Sequence, residues 1–166
     1  REIVNYMVDE SLKAYLHQKL EDETGVKPED AETGLDILFS YTEKEHAFTE
    51  NETKALIAAI DNCKILDPAC GSGAFPMGVL HKLVHILHKL DPQNEKWREL
   101  QRQKAIRETE AAFRIGNRQV REDRLKEISD IFENNSDDYG RKLYLIENCI
   151  YGVDIQPLAV EITKLR

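Results

Sequence analysis

The sequence lacks several features that would place it quickly in a known class of protein. Its three cysteines, Cys63, Cys70 and Cys149, are odd in number and form no Cys-X-X-Cys pair. This pattern argues against a disulfide framework and against a cysteine zinc site. We therefore expect a reducing, cytoplasmic location. No apolar run is long enough to span a bilayer, so we expect no membrane partner.

Basic side chains are also fewer than acidic ones. The 166 residues include 23 basic and 31 acidic side chains, which gives a net charge of -8. Because surfaces that bind nucleic acid are usually basic, we expect any contact with nucleic acid to lie mostly outside this chain. The chain begins at Arg1 rather than Met and ends at Arg166 within a predicted helix, so we expect a fragment of a longer protein.

Most of the sequence has the apolar periodicity of helices. Thr49 with Glu52 forms a capping-box pattern before one of these helices. Residues 21–34 contain two glycines and a proline and predict a loop, followed by a short helical turn at 35–42. The predicted helices cover residues 1–20, 50–62, 76–90, 94–132 with a break at 116–117, 141–148 and 156–166.

Two short segments, 64–67 and 149–155, predict strands. The order strand, glycine loop, helix, insertion, strand, helix is typical of the opening of a doubly wound sheet. We therefore predict an α/β fold, the start of a Rossmann-like sheet within one truncated domain. Its predicted parts are an N-terminal helical segment (1–62), the first strand with its glycine loop and helix (63–90), a helical insertion (91–140), and the second strand with the start of the next helix (141–166).

The stretch 67-DPACGSGAF-75 joins the first predicted strand to a helix. Ligands of doubly wound sheets bind at the carboxyl ends of the strands, where Asp67 and Asp154 are expected. Gly71 and Gly73 allow the backbone to approach a ligand closely. The amides at the start of the helix suit a carboxylate or a phosphate, and an acidic residue that ends a strand can accept ribose hydroxyls. The predicted ligand therefore contains a ribose and an anionic group.

Two common ligands fit poorly. The dinucleotide pattern requires a third glycine where this chain has Pro76, and no Gly-X-X-X-X-Gly-Lys-[Ser/Thr] loop for ATP is present. S-adenosylmethionine fits better, because it offers ribose hydroxyls to Asp154 and an amino group and a sulfonium to Asp67. A pair of glycines after a strand also suits an ordinary tight turn, so the loop alone does not decide between ligand binding and a structural role.

Three segments together resemble the adenine-specific DNA methyltransferases. The string 67-DPACGSGAF-75 resembles their motif I, 151-YGVDIQPLAVEITKLR-166 resembles the next motif, and 1-REIVNYMV-8 resembles the motif X helix. Motif X before motif I is the gamma arrangement. The pattern is most similar to the large methylase subunits of type IIG restriction–modification enzymes and to the BREX phage-defence methylases. These matches cover about a fifth of the chain.

The resemblance implies a role for each matched residue. Asp67 and the backbone of 69–73 would surround the methionine end of S-adenosylmethionine, and Phe75 would pack beside this loop. Asp154 would bind the ribose hydroxyls, and Ile155 would lie against the adenine ring. The implied cofactor-binding residues are Asp67, Pro68, Ala69, Cys70, Gly71, Ser72, Gly73, Phe75, Asp154 and Ile155.

The chain departs from the family pattern in two ways. It contains no Pro-Pro, so the catalytic Asn-Pro-Pro-Tyr type of motif is missing and we assign no catalytic residue here. In the family this motif holds a flipped adenine, and we expect it beyond Arg166. In addition, Asp154 follows Asp67 by 87 residues, where about 20 residues are usual after the glycine loop. Residues 91–140 are therefore predicted to be an insertion, and the large methylases have similar insertions.

Other polar patterns favour structural roles. His81, His85 and His88 share one helical face and are predicted to be a solvated stripe rather than a metal site. The basic residues of the insertion alternate with acidic ones, which favours a solvated hairpin with surface ion pairs over a DNA contact. Cys70 has no histidine near it in the sequence and is interpreted as a small residue that fits the loop.

Two alternative functions stay open from the sequence. Protein glutamine and RNA methyltransferases have similar loops, although the motif X-like helix before motif I and the long insertion count against them. In the other alternative the chain is a non-catalytic helical docking module with a vestigial glycine loop. The intact segment 71-GSG-73 and the intact Asp154 argue against such decay.

Overall fold

The computed structural model describes residues 2–165, so Arg1 and Arg166, at the ends of two predicted helices, lie outside the described residues. No helix in this range is both long enough and apolar enough to cross a membrane. In chain order the elements are α1 (Glu2–Thr24), α2 (Pro28–Phe39), α3 (Glu50–Asn62), β1 (Ile65–Asp67), α4 (Ala74–Leu90), α5 (Glu95–Ala112), α6 (Arg118–Asn135), α7 (Asp138–Asn148), β2 (Ile150–Gly152) and α8 (Pro157–Lys164).

The predicted α/β fold class is wrong. Residues 2–165 form eight helices and a single sheet of two three-residue strands, with no Rossmann-like sheet. The predicted order of elements around the glycine loop is observed, and β1 and β2 are parallel neighbours. The prediction extended this order to a wound sheet of many strands. However, α3 and α7 run almost to the strands, so only short extended segments form between long helices.

The chain divides into two compact units. The first unit comprises the residues up to Pro92 and those from Leu145 onward, and it contains both strands. The hairpin unit comprises Gln93–Tyr144 and contains α5 and α6. The glycine loop and Asp154 therefore belong to the same unit, although the hairpin unit separates them in sequence.

The core of the first unit is built around α1, which packs against α2, α3 and α4. Its buried residues, Val8, Leu12, Leu16 and Leu20, recur every four positions and form one apolar stripe. The capping box predicted for α3 is confirmed, since the Thr49 side chain accepts from the Glu52 amide and the Glu52 carboxylate accepts from the Thr49 amide. Local capping and tertiary packing thus agree at this helix.

The loop predicted over 21–34 is wrong, because most of this range is helical. Pro28 occupies the first turn of α2, where a missing amide proton has no cost, and acidic residues follow it. A buried stripe, Ala31, Leu35 and Leu38, then continues the helix. A Cβ at position 34 would meet the Phe48 ring at 2.5 Å, so glycine there allows the aromatic ring to pack on the helix. Tertiary packing therefore outweighs the local loop signals.

The hairpin unit has the predicted break between two long helices. Residues 113–117 separate α5 from α6, and the Asn117 side chain caps α6 by accepting from the Val120 amide at 3.2 Å. The unit is anchored by Trp97, which is fully buried and donates its Nε1 proton to the Asn135 carbonyl at 2.9 Å. Its ring meets the ring of Tyr144 edge-on, with centroids 5.4 Å apart.

Two buried thiols precede the strands. Cys63 caps the carboxyl end of α3, and Cys149 donates a weak hydrogen bond from Sγ to the Ile60 carbonyl at 3.6 Å. A hydrogen bond with Cys149, reinforced by burial, raises the pKa of the Cys63 thiol. Because the thiolate is the nucleophilic form, this pair is suited to packing rather than to chemistry at neutral pH.

Candidate cofactor-binding site

The carboxyl ends of β1 and β2 meet at one edge, where Asp67 lies opposite Gly152 in the parallel register. The pairing continues beyond the strands, since the Val153 amide donates to the Asp67 carbonyl at 2.9 Å. The Cys70 amide then donates to the Val153 carbonyl at 3.0 Å. The glycine loop is therefore folded across the end of β2, which brings the two predicted motifs together.

Hydrogen bonds within the loop fix its shape. The Asp67 carboxylate accepts from the Ala69 amide at 3.0 Å, and the Gly73 amide donates to the Cys70 carbonyl at 2.8 Å. Gly71 and Gly73 have φ values of 53° and 83°, a left-handed conformation that side chains disfavour. The two glycines differ in their surroundings, because a Cβ at Gly71 would meet nothing within 4 Å whereas one at Gly73 would collide with another side chain.

Asp154 joins the second motif to the loop. Its Oδ2 accepts from the Gly71 amide at 2.8 Å, and its Oδ1 accepts from the Gln156 amide at 2.8 Å. The half-buried carboxylate thus holds the loop and the start of α8 at once. Each carboxylate oxygen can accept a second hydrogen bond, so these contacts leave capacity for the hydroxyls of a ligand.

The amino end of α4 supplies donors beside the same loop. Gly73 is the N-cap and provides no side-chain cap. The Ala74 and Phe75 amides have no acceptor among residues 2–165, as expected for the first turn of a helix. Unpaired amides at a helix start favour an anionic group.

Thr163 of α8 is a loop contact that sequence reasoning missed. Its Oγ1 donates to the Gly71 carbonyl at 2.9 Å, and its Cγ2 is the atom that a Cβ at Gly73 would meet at 2.8 Å. No local sequence pattern predicts this role, because the contact depends on α8 lying over the loop.

The remaining predicted residues are placed in different environments. Pro68, Ala69 and Ser72 are exposed on the loop. Cys70 is buried, and its Sγ would lie 3.1 Å from a Cβ at Gly152, so glycine at position 152 leaves room for this side chain. Ile155, in contrast, is 94% exposed just after β2. The structure therefore groups the loop with Asp154 and leaves Ile155 as an exposed apolar side chain that follows β2.

Phe75 lines a cavity together with residues of α1 and β1. This cavity has a volume of about 310 Å³. Such a volume is at the lower end of the range for small-ligand pockets. Of its lining residues, only Phe75 was predicted to be a site residue. The cavity is lined by Val8, Ser11, Leu12, Tyr15, Cys63, Lys64, Ile65, Leu66, Phe75 and Val79.

The histidine stripe on α4 is only partly solvated. His81 and His88 are exposed, but His85 is half-buried and forms a 3.0 Å hydrogen bond with the Ser40 carbonyl. Its ring centroid lies 4.4 Å from that of Tyr41. The prediction of a solvated stripe is therefore wrong for His85. Among residues 2–165, no group of three or more metal-binding side chains is assembled.

Comparisons with known proteins give one informative similarity. The chain is 30% identical over 113 residues, 68% of its length, to a Methanocaldococcus jannaschii protein described as "Putative type II restriction enzyme and methyltransferase". The matched segment is only 6% of that protein's length. No model of a known protein family matches the chain, and no solved structure matches it. The chain is thus similar to a short segment of a much longer protein that is described as both a restriction enzyme and a methyltransferase.

Proposed function

We propose that the chain is the cofactor-binding portion of a site-specific DNA methyltransferase, which transfers a methyl group from S-adenosylmethionine to adenine in DNA. The similarity to the Methanocaldococcus jannaschii protein supports a methyltransferase of restriction–modification type and, through it, a DNA partner. The adenine specificity and the gamma arrangement are finer proposals, which rest on the resemblance of residues 1–8, 67–75 and 151–166 to the family motifs.

The observation that carries this proposal is the hydrogen bond from the Gly71 amide to the Asp154 carboxylate. It joins residues 83 positions apart at the common edge of β1 and β2. The loop and the acidic residue therefore form one surface, which is the arrangement that a ribose next to an anionic group requires.

Each part of this surface has a proposed role toward S-adenosylmethionine, which would supply an electrophilic methyl group on its sulfonium. Asp154 accepts hydrogen bonds from the ribose hydroxyls through its remaining lone pairs. The amides of Ala74 and Phe75 face the carboxylate of the methionine part. Asp67 balances the positive charge of the amino group, and Ile155 covers the adenine ring.

The proposal can be tested by calorimetric titration with S-adenosylhomocysteine and with its 2′-deoxyribose analogue. The wild-type chain is expected to bind the parent ligand about 10- to 100-fold more tightly, since a hydrogen bond to a charged group contributes about 1.5–3 kcal/mol. Asp154→Asn keeps one acceptor oxygen and the side-chain shape. This variant should bind both ligands weakly and with similar affinity.

A matched control is Glu43→Gln, which removes one exposed negative charge elsewhere in the first unit. It should leave both affinities unchanged. If wild-type protein bound the two ligands equally, or if Asp154→Asn kept the full preference for the 2′-hydroxyl, the proposed ribose contact would be wrong.

A further inference from the structure

The hairpin unit differs from the rest of the chain in its charge. Residues 93–144 include 12 basic and 11 acidic side chains, whereas the remainder has 11 basic and 20 acidic ones. The difference grows toward the turn between α5 and α6, because residues 102–126 include eight basic and four acidic side chains. The acidic net charge of the whole chain therefore conceals a locally basic region.

Some of these basic side chains are neutralised within the hairpin unit. Arg102 pairs with Glu99, and Arg118 pairs with Glu122, both at contact distances below 3 Å. Arg124 pairs with two carboxylates, one from each helix. These pairs match the surface ion pairs predicted from the alternating charges, and they leave little charge for another partner.

Three arginines close to the turn have no such neutralisation. Arg107, Arg114 and Arg121 form no ion pair with a carboxylate anywhere in residues 2–165. Arg107 and Arg121 donate only to main-chain carbonyl oxygens, at 3.3 Å and 3.1 Å. Arg107 belongs to the second half of α5, Arg114 to the turn, and Arg121 to the first turn of α6. We refer to this region, residues 107–121, as the hairpin tip.

Exposed apolar side chains accompany the unpaired arginines. Phe113 is 63% exposed and Val120 is 52% exposed at the hairpin tip. A single exposed apolar residue is ordinary, but this segment combines an exposed aromatic side chain with guanidinium groups that can bind phosphate. Glu110 is the carboxylate of this region that has no cation partner within the described residues, so it opposes the positive field.

We propose that the hairpin tip binds the phosphodiester backbone of duplex DNA, with Arg107, Arg114 and Arg121 contacting phosphates and Phe113 lying against the sugars. This inference rests on the proposed function for the class of its partner. A guanidinium group matches a phosphate by paired hydrogen bonds, and duplex DNA presents about one phosphate charge per 1.7 Å. The first unit, with its excess of acidic residues, is poorly suited to the same role. The contact therefore positions DNA without reading its sequence.

The test is a titration of a fluorescein-labelled DNA duplex of mixed sequence with the 166-residue chain at several salt concentrations. The variant Arg107→Gln/Arg114→Gln/Arg121→Gln should bind more weakly. The slope of log K against log salt should become shallower by about 2 to 3, since each phosphate contact contributes about 0.9. Glu110→Gln should change the affinity in the opposite direction.

The matched control removes the same charge from the first unit. Lys19→Gln/Lys27→Gln/Lys44→Gln neutralises three lysines that form no ion pair among residues 2–165, and it should leave the salt slope unchanged. Circular dichroism shows whether each variant keeps its helices. An equal loss in both triple variants would mean that only net charge matters and would overturn the proposal. The proposal would also be overturned if the arginine variant lost self-association but kept its full salt slope with DNA. The partner of the hairpin tip would then be a second copy of the chain.

Calorimetry with S-adenosylhomocysteine separates this inference from the proposed function. The arginine variant should retain wild-type affinity for that ligand. If wild-type protein binds DNA through the hairpin tip but does not bind the ligand, the proposed function fails and the DNA contact stands. If it binds the ligand while the arginine substitutions leave DNA affinity and salt slope unchanged, the DNA contact fails and the proposed function stands.

Discussion

In the first unit four helices bury apolar stripes against one another, whereas the hairpin unit buries few side chains along two helices of 18 residues each. The buried residues of α5 and α6 are Trp97, Gln101, Ala112, Ile128 and Asn135. On the outside of the hairpin unit, ion pairs spaced three or four residues apart recur. The stability of the first unit therefore depends on a shared core. The stability of the hairpin unit depends on the buried Trp97 and on ion pairs within its helices.

This contrast agrees with the two proposed roles, cofactor binding by the first unit and DNA contact by the hairpin unit. A cofactor site needs groups held within a fraction of an ångström, and the first unit provides this by fixing the glycine loop from both strands and from α8. A contact with a DNA backbone tolerates more variation, since it depends on charge rather than on a precise set of hydrogen bonds. A sparsely packed hairpin with unpaired arginines is sufficient for that task.

The largest expected effect comes from removing the anchor of the hairpin unit. Trp97→Ala deletes a fully buried ring and its hydrogen bond to the Asn135 carbonyl. It should destabilise the unit by about 3–5 kcal/mol. Hydrogen exchange followed by mass spectrometry should show α5 and α6 exchanging much faster. Trp97→Phe, which keeps an aromatic ring but not the donor, should have a smaller effect, about 1 kcal/mol from the hydrogen bond.

A corresponding core deletion in the first unit sharpens the comparison. Leu56→Ala removes a fully buried side chain of α3 and should cost about 2–5 kcal/mol. Its faster exchange should extend through α1 and α3, which pack together. If Trp97→Ala left exchange in α5 and α6 unchanged, the anchor role of Trp97 would be contradicted.

The two glycines of the loop should respond differently to substitution. Gly71→Ala should cost about 1–2 kcal/mol, because alanine must adopt the left-handed conformation in open space. Gly73→Ala has the same conformational cost and also meets Thr163 Cγ2 at 2.8 Å. We expect about 1–3 kcal/mol more for this overpacked contact, measured by urea unfolding.

A double variant separates the two causes at Gly73. Gly73→Ala/Thr163→Ser removes the colliding methyl group and retains the hydroxyl that donates to the Gly71 carbonyl. It should recover part of the loss. Equal free energies of unfolding for Gly71→Ala and Gly73→Ala would show that α8 does not press on the loop in solution.

Helix caps offer a smaller, matched perturbation in the two units. Thr49→Ala and Asn117→Ala each remove a side-chain acceptor at the start of a helix and should cost about 1 kcal/mol. Exchange should rise only in the first turn of α3, because its buried face holds the helix beyond that point. In α6 the faster exchange should extend further. Thr49→Ser and Asn117→Asp retain an acceptor and should exchange as the wild-type protein does.

Local signals predicted the elements well where the signal and the packing agree. The box of Thr49 with Glu52, the break at 116–117, and the strands on either side of the hairpin unit are all observed. The loop prediction over the acidic stretch before Leu35 was wrong. Burial of Ala31, Leu35 and Leu38 against other helices outweighs the glycines and the proline that favour a loop. The prediction of the fold class was wrong because two predicted strands were taken to indicate a sheet of many strands.

The geometry of the loop was predictable only in part. The motif places Gly71 and Gly73 where positive φ values occur, and parallel pairing brings Asp154 to them. The contact of Thr163 with the loop could not be predicted, since it depends on the direction in which α8 leaves β2. The same holds for His85, whose burial depends on where α2 ends rather than on the pattern within α4.

His85 gives the smallest predicted effect, a pH dependence in the first unit. The ring nitrogen Nε2 donates to the Ser40 carbonyl, so the neutral imidazole satisfies the contact. Burial lowers the pKa of His85 below its usual 6.5, and the nearby charges of Lys82 and Lys89 act in the same direction. The unfolded chain therefore binds this proton more readily than the folded chain. The stabilising contribution is present above about pH 6.5 and is lost as the pH falls below it.

The measurement is the thermal midpoint of the chain between about pH 8 and pH 5.5, a range that spans the usual histidine pKa. His85→Gln can keep a donor to the Ser40 carbonyl but cannot be protonated in this range, so its midpoint should fall less on acidification than that of the wild-type protein. His81→Gln removes an exposed histidine from the same helix and should follow the wild-type curve more closely. Parallel curves for wild-type protein and His85→Gln would mean that His85 is as accessible to protons in the folded state as in the unfolded chain. The half-buried contact between α4 and the end of α2 would then be absent in solution.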